Sequence, residues 1–189
     1  MIAPGIDHWT SQEEGFPWDL FGEFMSDPEI LRPQMEDGMI LDPQRVNWSA
    51  FGQDPRRIIY LFAMEEQIAG YTLLQGRGVA CAEFHMTFQP WARGRLAKGL
   101  GLWTMAKLFS DTTCRKLRTE IPRYNKAACR MAVELGMERE GVIRETFLFN
   151  GRMCDTVIYG VTRDGFLVSK HIRTGSESSN NGTGAVYHH

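Results

Sequence analysis

Apolar residues along the first 88 positions predict short helices followed by three strands. WDLFGEFM and PEILRPQM predict only short helices, because prolines at 28, 33 and 43 interrupt any longer one. The segments that follow are rich in β-branched and aromatic residues and are separated by short polar turns. They predict consecutive strands at RRIIYLFAM (56–64), IAGYTLLQ (68–75) and VACAEFHMTF (79–88).

The spacing of apolar residues then changes from that of a strand to that of a helix. Leu102, Met105 and Phe109 share one helical face, which predicts a helix over 96–109. A second helix is expected to open at Asn125 and to stop at Gly136. The remaining apolar runs predict strands at 116–121, 142–150 and 154–162, with the last two joined by a turn at Asn150–Gly151.

This order of elements predicts an α/β (α+β) fold. Strand–helix–strand crossovers need parallel neighbours and hairpins need antiparallel ones, so we expect a mixed central sheet with helices on both faces. The predicted order is short helices-β-β-β-α-β-α-β-β. At 189 residues the chain fits one domain. We expect a helical or irregular part at 1–55, the sheet core at 56–170 and a polar tail at 171–189.

A formal net charge of −2 hides strong segregation of charge along the chain. Residues 1–89 hold 5 Lys/Arg and 14 Asp/Glu, whereas residues 93–130 hold 10 Lys/Arg and 2 Asp/Glu. The basic segment predicts an anionic ligand, which is a phosphorylated cofactor, a nucleic acid or an acidic neighbour.

The four cysteines are far apart, without a CxxC pair or a His at metal-ligand spacing. This pattern predicts reduced thiols and no metal site. No apolar run reaches membrane-spanning length, so the chain is expected in the cytoplasm.

Two motifs resemble the GNAT superfamily of acetyl-coenzyme A-dependent N-acetyltransferases, nearest to its ribosomal-protein-acetylating branch. The first is EFHMTFQPWARG (83–94), which resembles the strand that leads into the family's pyrophosphate loop. The second is NKAACRMAVELGMEREGVIRE (125–145), and the closing FNGRMCDTVIYGVTR resembles the family's final hairpin. The resemblance covers roughly residues 56–163.

The resemblance implies acetyl-CoA as cofactor and an amine of a small molecule or protein as acceptor. Arg93 to Lys98 would wrap the pyrophosphate at a helix N-terminus, where unsatisfied N–H groups favour anions. Arg123, Lys126 or Arg130 would meet the remaining phosphate. The cofactor-binding residues implied are Met86, Phe88, Arg93, Gly94, Arg95, Leu96, Ala97, Lys98, Asn125 and Ala128.

Acetyl transfer needs a base for the amine and an acid for the leaving thiolate. Glu83 and His85 are two residues apart on one strand face, and both are candidate bases. Many family members carry an acidic Tyr on the second helix, where this chain has Ala132. Tyr124 is the candidate acid in its place, with Tyr159 as a second hydroxyl.

Three departures from the family's sequence pattern favour an alternative function. Leu96 and Lys98 occupy positions where the family loop has small residues, and Ala132 replaces the Tyr. The alternative is a catalytically degenerate GNAT-fold assembly protein, such as a phage structural component within a viral particle, anchored to a protein partner through residues 174–189. A nucleic-acid binder is the weakest hypothesis. The enzyme predicts an open cleft between strands 79–88 and 116–121, and the assembly protein predicts that this cleft is filled.

Overall fold

The computed structural model describes residues 4–37, 42, 45–76 and 78–168. Within them the strands are β1 (Ile6–Thr10), β2 (Arg57–Met64), β3 (Gln67–Gly76), β4 (Cys81–Phe88), β5 (Lys116–Pro122), β6 (Glu138–Phe149) and β7 (Arg152–Thr162). The helices are α1 (Trp18–Ser26), α2 (Pro28–Leu31), α3 (Trp48–Gly52), α4 (Arg95–Asp111) and α5 (Lys126–Glu134). Residues 163–168 are also helical, and short 3-10 helices lie at Arg32–Gln34 and Pro90–Ala92.

The strands form one sheet in the order β1-β2-β3-β4-β5-β7-β6. β4 and β5 are parallel, and every other neighbouring pair is antiparallel. The mixed α/β sheet predicted from the sequence is therefore confirmed.

Helices cover both faces of this sheet, as predicted. On β2, Tyr60 and Phe62 pack in a core that includes residues of α4 and α5. The alternate residues Ile59 and Leu61 pack on the opposite face, in a core with residues of α1 and α2. The period of two along the strand thus builds two separate hydrophobic cores.

The first strand was missed by the sequence prediction, which began the fold with short helices. β1 is the five-residue segment IDHWT, with a polar Asp and His at its centre. It exists because it pairs with β2, with Ile6 opposite Met64 and Thr10 opposite Tyr60. Pairing of this kind is invisible to local apolar periodicity.

Turn and capping residues explain why several predicted boundaries of helices and strands lie close to those in the structure. The Asn125 side chain accepts the N–H of Ala128 at 3.0 Å and caps α5. Asn150 and Gly151 have φ angles of 52° and 70°, as the predicted tight hairpin turn requires. β6 begins at Glu138, earlier than predicted, because its exposed first residues are held by backbone pairing to β7.

Candidate active site

β4 and β5 separate to form an open cleft at the centre of the sheet. They pair only from Cys81 to Glu83 on β4 and from Lys116 to Arg118 on β5. Beyond these residues the two strands diverge and enclose a cavity of about 480 Å³. The enzyme hypothesis predicted an open cleft at this place, and the assembly hypothesis predicted a filled one. The cleft is open.

Glu83 and His85 line this cavity together. Their side chains lie on the same face of β4, with His85 Nε2 3.4 Å from Glu83 Oε1. Glu83 is 8% exposed, so its carboxylate is largely withdrawn from water next to an imidazole. A carboxylate and an imidazole in contact at the wall of a cleft are able to accept and pass a proton.

The cleft edge of β4 also presents backbone donors. The N–H of Gln89 bonds to the carbonyl of Ala69 on β3 at 2.9 Å. Because N–H directions alternate along a strand, those of Met86 and Phe88 point to the other edge, where pairing with β5 has ended. These N–H groups can polarise a carbonyl in the cleft.

A second cavity, of about 670 Å³, continues from the first along the start of α4. The two cavities share Met86 and Thr87 in their walls. Gly94 precedes α4 with a φ of 77°, a left-handed conformation that favours glycine. The N–H of Lys98 bonds to the carbonyl of Gly94 at 2.9 Å and closes the first turn, so the preceding N–H groups lie at the open helix end.

Most residues predicted to bind the cofactor lie around this second cavity. Its walls include Met86, Phe88, Arg93, Gly94, Ala97, Asn125 and Ala128. Two of the three basic residues proposed to meet the remaining phosphate, Lys126 and Arg130, also line it. The third, Arg123, instead pairs with Asp155 at 3.3 Å.

Three other predicted cofactor residues have different surroundings. Leu96 is half-buried and packs against the core, and Arg95 is exposed at the start of α4. Lys98 reaches across to α5, where its Nζ lies 3.4 Å from the Glu134 carboxylate. The Leu96 side chain therefore points toward the core, and the Lys98 side chain points toward α5.

The candidate acid Tyr124 lies in the wall of the second cavity. Its hydroxyl donates to the carbonyl of Pro33 at 3.0 Å, and burial raises its pKa above the usual range. The other candidate, Tyr159, is buried against α5, where burial and a hydrogen bond with Cys129 raise its pKa. Ala132 is 2% exposed and belongs to the same hydrophobic core.

Two parts of the cleft wall were not singled out from the sequence. Pro33 and Gln34, from the 3-10 helix after α2, line both cavities. Gln34 is held there because its Oε1 accepts the Tyr71 hydroxyl at 3.0 Å. Glu120 lines the first cavity and pairs with Arg118. The sequence did carry a signal for Glu120: it lies two positions after Arg118 on a short strand, so both polar side chains share one face.

The described residues hold no group of three or more His, Cys, Asp or Glu side chains that is able to bind a metal. No helix in this described part is long and apolar enough to cross a membrane. The tail assigned to a partner, residues 174–189, lies outside the described residues.

Solved structures with the same fold include acetyltransferases. Spermidine N-acetyltransferase from Vibrio cholerae, in complex with CoA and spermine, matches with a TM-score of 0.72 and 17% identity. The match covers 87% of this chain and 99% of that one. Spermidine/spermine N-acetyltransferase SpeG from the same organism, in complex with manganese ions, gives a TM-score of 0.67 at 17% identity, over 87% of this chain and 96% of that one.

A sequence relative is the SPbeta prophage-derived uncharacterized N-acetyltransferase YokL of Bacillus subtilis (strain 168). It is 27% identical over 79 residues, which are 42% of this chain and 45% of that protein. The match thus spans about half the length of this curated relative. No family model matches the chain.

The chain therefore has the fold of the GNAT N-acetyltransferases. The resemblance drawn from EFHMTFQPWARG and the Asn125 helix is confirmed at this level. The ribosomal-protein-acetylating branch stays a prediction.

Proposed function

We propose that the chain is an N-acyltransferase that moves an acetyl group from acetyl-CoA to a primary amine of a small molecule or protein. One observation carries the proposal. A single continuous cleft joins the basic, N–H-rich start of α4 to the Glu83–His85 pair, with Met86 and Thr87 common to both parts.

The second cavity fits the phosphates of the cofactor. Arg93, Lys126 and Arg130 bring positive charge to its wall, and the open end of α4 adds backbone donors. Arg93 is held in place by a 3.2 Å bond from its Nε to the Phe88 carbonyl. Lys98 and Leu96 are turned to other partners, so neither occupies the space before the helix end.

Acetyl-CoA supplies, when bound, a thioester carbonyl and a thiolate leaving group. Glu83, supported by His85 at 3.4 Å, would take the proton that the acceptor ammonium must lose before it attacks. The N–H groups of Met86 and Phe88 would stabilise negative charge that develops on the carbonyl oxygen. Tyr124 would donate a proton on the leaving side, from its place in the wall of the second cavity.

The names of the structural neighbours support an amine acceptor and a CoA cofactor, since one is a spermidine acetyltransferase in complex with CoA and spermine. The prophage relative is also named an N-acetyltransferase. The acidic residues Glu83 and Glu120 in the first cavity suit a cationic amine.

Mass spectrometry of reaction mixtures tests the proposal. The protein is incubated with acetyl-CoA and a panel of primary amines and peptides, and acetylated products are identified by a mass increase. Acetylation of at least one acceptor, lost in Glu83→Gln, supports the enzyme. The absence of any product from folded protein would refute it.

A further inference from the structure

The residues that line both cavities form a collar where the two cavities meet. They come from three parts of the fold: the 3-10 helix after α2, the end of β4, and α5 with its N-cap residue. The collar consists of Pro33, Gln34, Met86, Thr87, Asn125, Ala128 and Met131. Because the collar joins the two cavities, a ligand that occupies both has to pass through it.

Two polar groups of the collar are fixed by hydrogen bonds to neighbouring elements. The Asn125 side chain accepts the N–H of Ala128 at 3.0 Å, which holds it against the first turn of α5. The carbonyl of Pro33 accepts the Tyr124 hydroxyl at 3.0 Å. The α5 side and the 3-10 side of the collar are therefore held at defined positions.

Gln34 is fixed at both ends of its side-chain amide. Its Nε2 donates to the carbonyl of Ile30 at 2.7 Å, and its Oε1 accepts the Tyr71 hydroxyl at 3.0 Å. A carbonyl oxygen only accepts, so this orientation of the amide satisfies both partners. The Gln34 side chain thus leaves its place in the collar only by losing two hydrogen bonds.

Tyr71 connects Gln34 to the β4 side of the collar. It lies directly opposite Thr87 in the register of β3 and β4. Burial raises the pKa of Tyr71, and a hydrogen bond with Thr87 lowers it in part. Tyr71 is only 5% exposed, and its ring meets those of Phe21 and Phe24 on α1 edge-on, at 5.3 and 6.0 Å between centroids. One buried hydroxyl therefore links two residues of the collar that belong to different elements.

The collar lies between the parts of the cleft that serve the two ends of the proposed reaction. Arg93 borders the second cavity, and Glu83 borders the first. An acyl group carried by a cofactor whose phosphates lie in the second cavity therefore meets the collar on the way to Glu83. The first cavity, of about 480 Å³, is much larger than an acetyl group. The collar, rather than the cavity beyond it, thus limits the size of the acyl group.

We propose that the collar selects the acyl group, accepting acetyl and excluding longer chains, and that Tyr71 is the positioning residue that holds Gln34 in place for this selection. The inference rests on the proposed function and goes further, because it names the residues that determine the acyl donor. Gln34 meets the acyl group, and Tyr71 acts through it from inside the core. A collar fixed by hydrogen bonds cannot widen for a longer chain without losing them.

Calorimetric titration with CoA, acetyl-CoA and butanoyl-CoA tests the proposal by binding alone. We expect the wild-type chain to bind acetyl-CoA at least about tenfold more tightly than butanoyl-CoA, because two further methylenes do not fit a rigid opening. Gln34→Ala is expected to bring the ratio of these two Kd values to about one and to leave the affinity for CoA unchanged. A wild-type ratio near one, or an unchanged ratio in Gln34→Ala, would overturn the proposal.

Tyr71→Phe separates positioning from a general structural role. The variant keeps the ring against α1 and removes only the hydroxyl that holds Gln34. We expect the ratio of Kd values to fall to about threefold or less, with the affinity for CoA unchanged. Weakening of all three ligands by the same factor would show that Tyr71 only stabilises the fold, and would overturn its assignment.

Each variant has a matched control in the chain. Tyr60→Phe removes the hydroxyl of a tyrosine that is also buried but packs on the opposite face of the sheet, with residues of α4. Gln12→Ala removes a glutamine whose Nε2 likewise donates to a backbone carbonyl, that of Arg57 at 2.9 Å. Both controls are expected to keep the wild-type ratio, and a fall in either equal to that of its partner variant would overturn the role of the collar.

The same titrations distinguish failure of the inference from failure of the proposed function. Equal affinity of the wild-type chain for acetyl-CoA and butanoyl-CoA would overturn selection by the collar and leave the acyltransferase standing. Binding of neither CoA nor its thioesters would refute the proposed function, and the inference with it.

Discussion

The Tyr124 hydroxyl donates to the carbonyl of Pro33, 3.0 Å away and 91 residues earlier in the chain. The Tyr124 ring is also stacked on Phe149, with centroids 3.9 Å apart and planes at 6°. Asp37 adds to this connection, because its carboxylate accepts the N–H of Gly151 at 2.6 Å. The N-terminal segment is thereby held against the β6–β7 hairpin, and residues of both parts line the first cavity.

Tyr124→Phe tests the assignment of this hydroxyl as an acid. The ring and its stacking remain, but the proton donor is lost, so we expect kcat to fall by about tenfold or more. Steady-state kinetics with the identified acceptor measure this effect. A change in the acceptor KM with kcat unaltered would show that the hydroxyl only holds Pro33 in place.

Glu83→Gln tests the proposed base. It preserves size and removes the negative charge, and kcat is expected to fall by about 10²- to 10⁴-fold. Glu120→Gln is the matched control, because Glu120 lines the same cavity but pairs with Arg118. We expect it to change mainly KM. If both variants lower kcat equally, Glu83 is not the base.

Gly70→Ala tests the close approach of β3 to β4. A Cβ at Gly70 would lie 2.3 Å from the carbonyl oxygen of Thr87, and the backbone there has a φ of 156°. We expect a loss of unfolding free energy of more than about 3 kcal/mol in urea denaturation. Gly99→Ala is the control, since a Cβ there meets nothing within 4 Å and alanine favours helix. A neutral Gly70→Ala would contradict the packing.

Buried tyrosines predict a loss of stability at alkaline pH. Burial raises the pKa values of Tyr60, Tyr71, Tyr124 and Tyr159 above 10.0. The folded protein then keeps protons that the unfolded chain releases, so this stability is complete below the unfolded pKa and is lost as pH rises toward the folded pKa.

Tyr71→Phe isolates one part of this effect, because Tyr71 is fully within the core. The stability deficit of the variant is expected to narrow by about 1 kcal/mol between about pH 9 and pH 11, measured by urea denaturation. A deficit that is independent of pH would show that the Tyr71 hydroxyl titrates normally in the folded state.

Much of the sheet could be predicted because its strands carry their own signal. β2, β3 and β4 are rich in aromatic and branched residues, and the turn at Asn150–Gly151 has residues that adopt positive φ. β1 could not be predicted in this way, since its stability comes from pairing with β2. The early start of β6 has the same origin.

The residues of the candidate site also differ in whether a local sequence pattern predicts their contacts. Glu83 and His85 share a strand face by a period of two, so their contact follows from local geometry. Lys98 of α4 forms an ion pair with Glu134 of α5, and no local sequence pattern predicts this contact. Pro33 and Gln34 reach the cleft through contacts that span the chain, with Tyr124 and Tyr71.

Calorimetric titration with acetyl-CoA tests the central claim most directly. The wild-type chain is compared with Arg93→Ala, which removes a cavity-lining charge, and with Lys107→Ala, which removes a charge paired with Asp111 on the same helix. We predict a Kd on the order of micromolar, about tenfold weaker in Arg93→Ala and unchanged in Lys107→Ala. No binding at about millimolar acetyl-CoA would contradict the account.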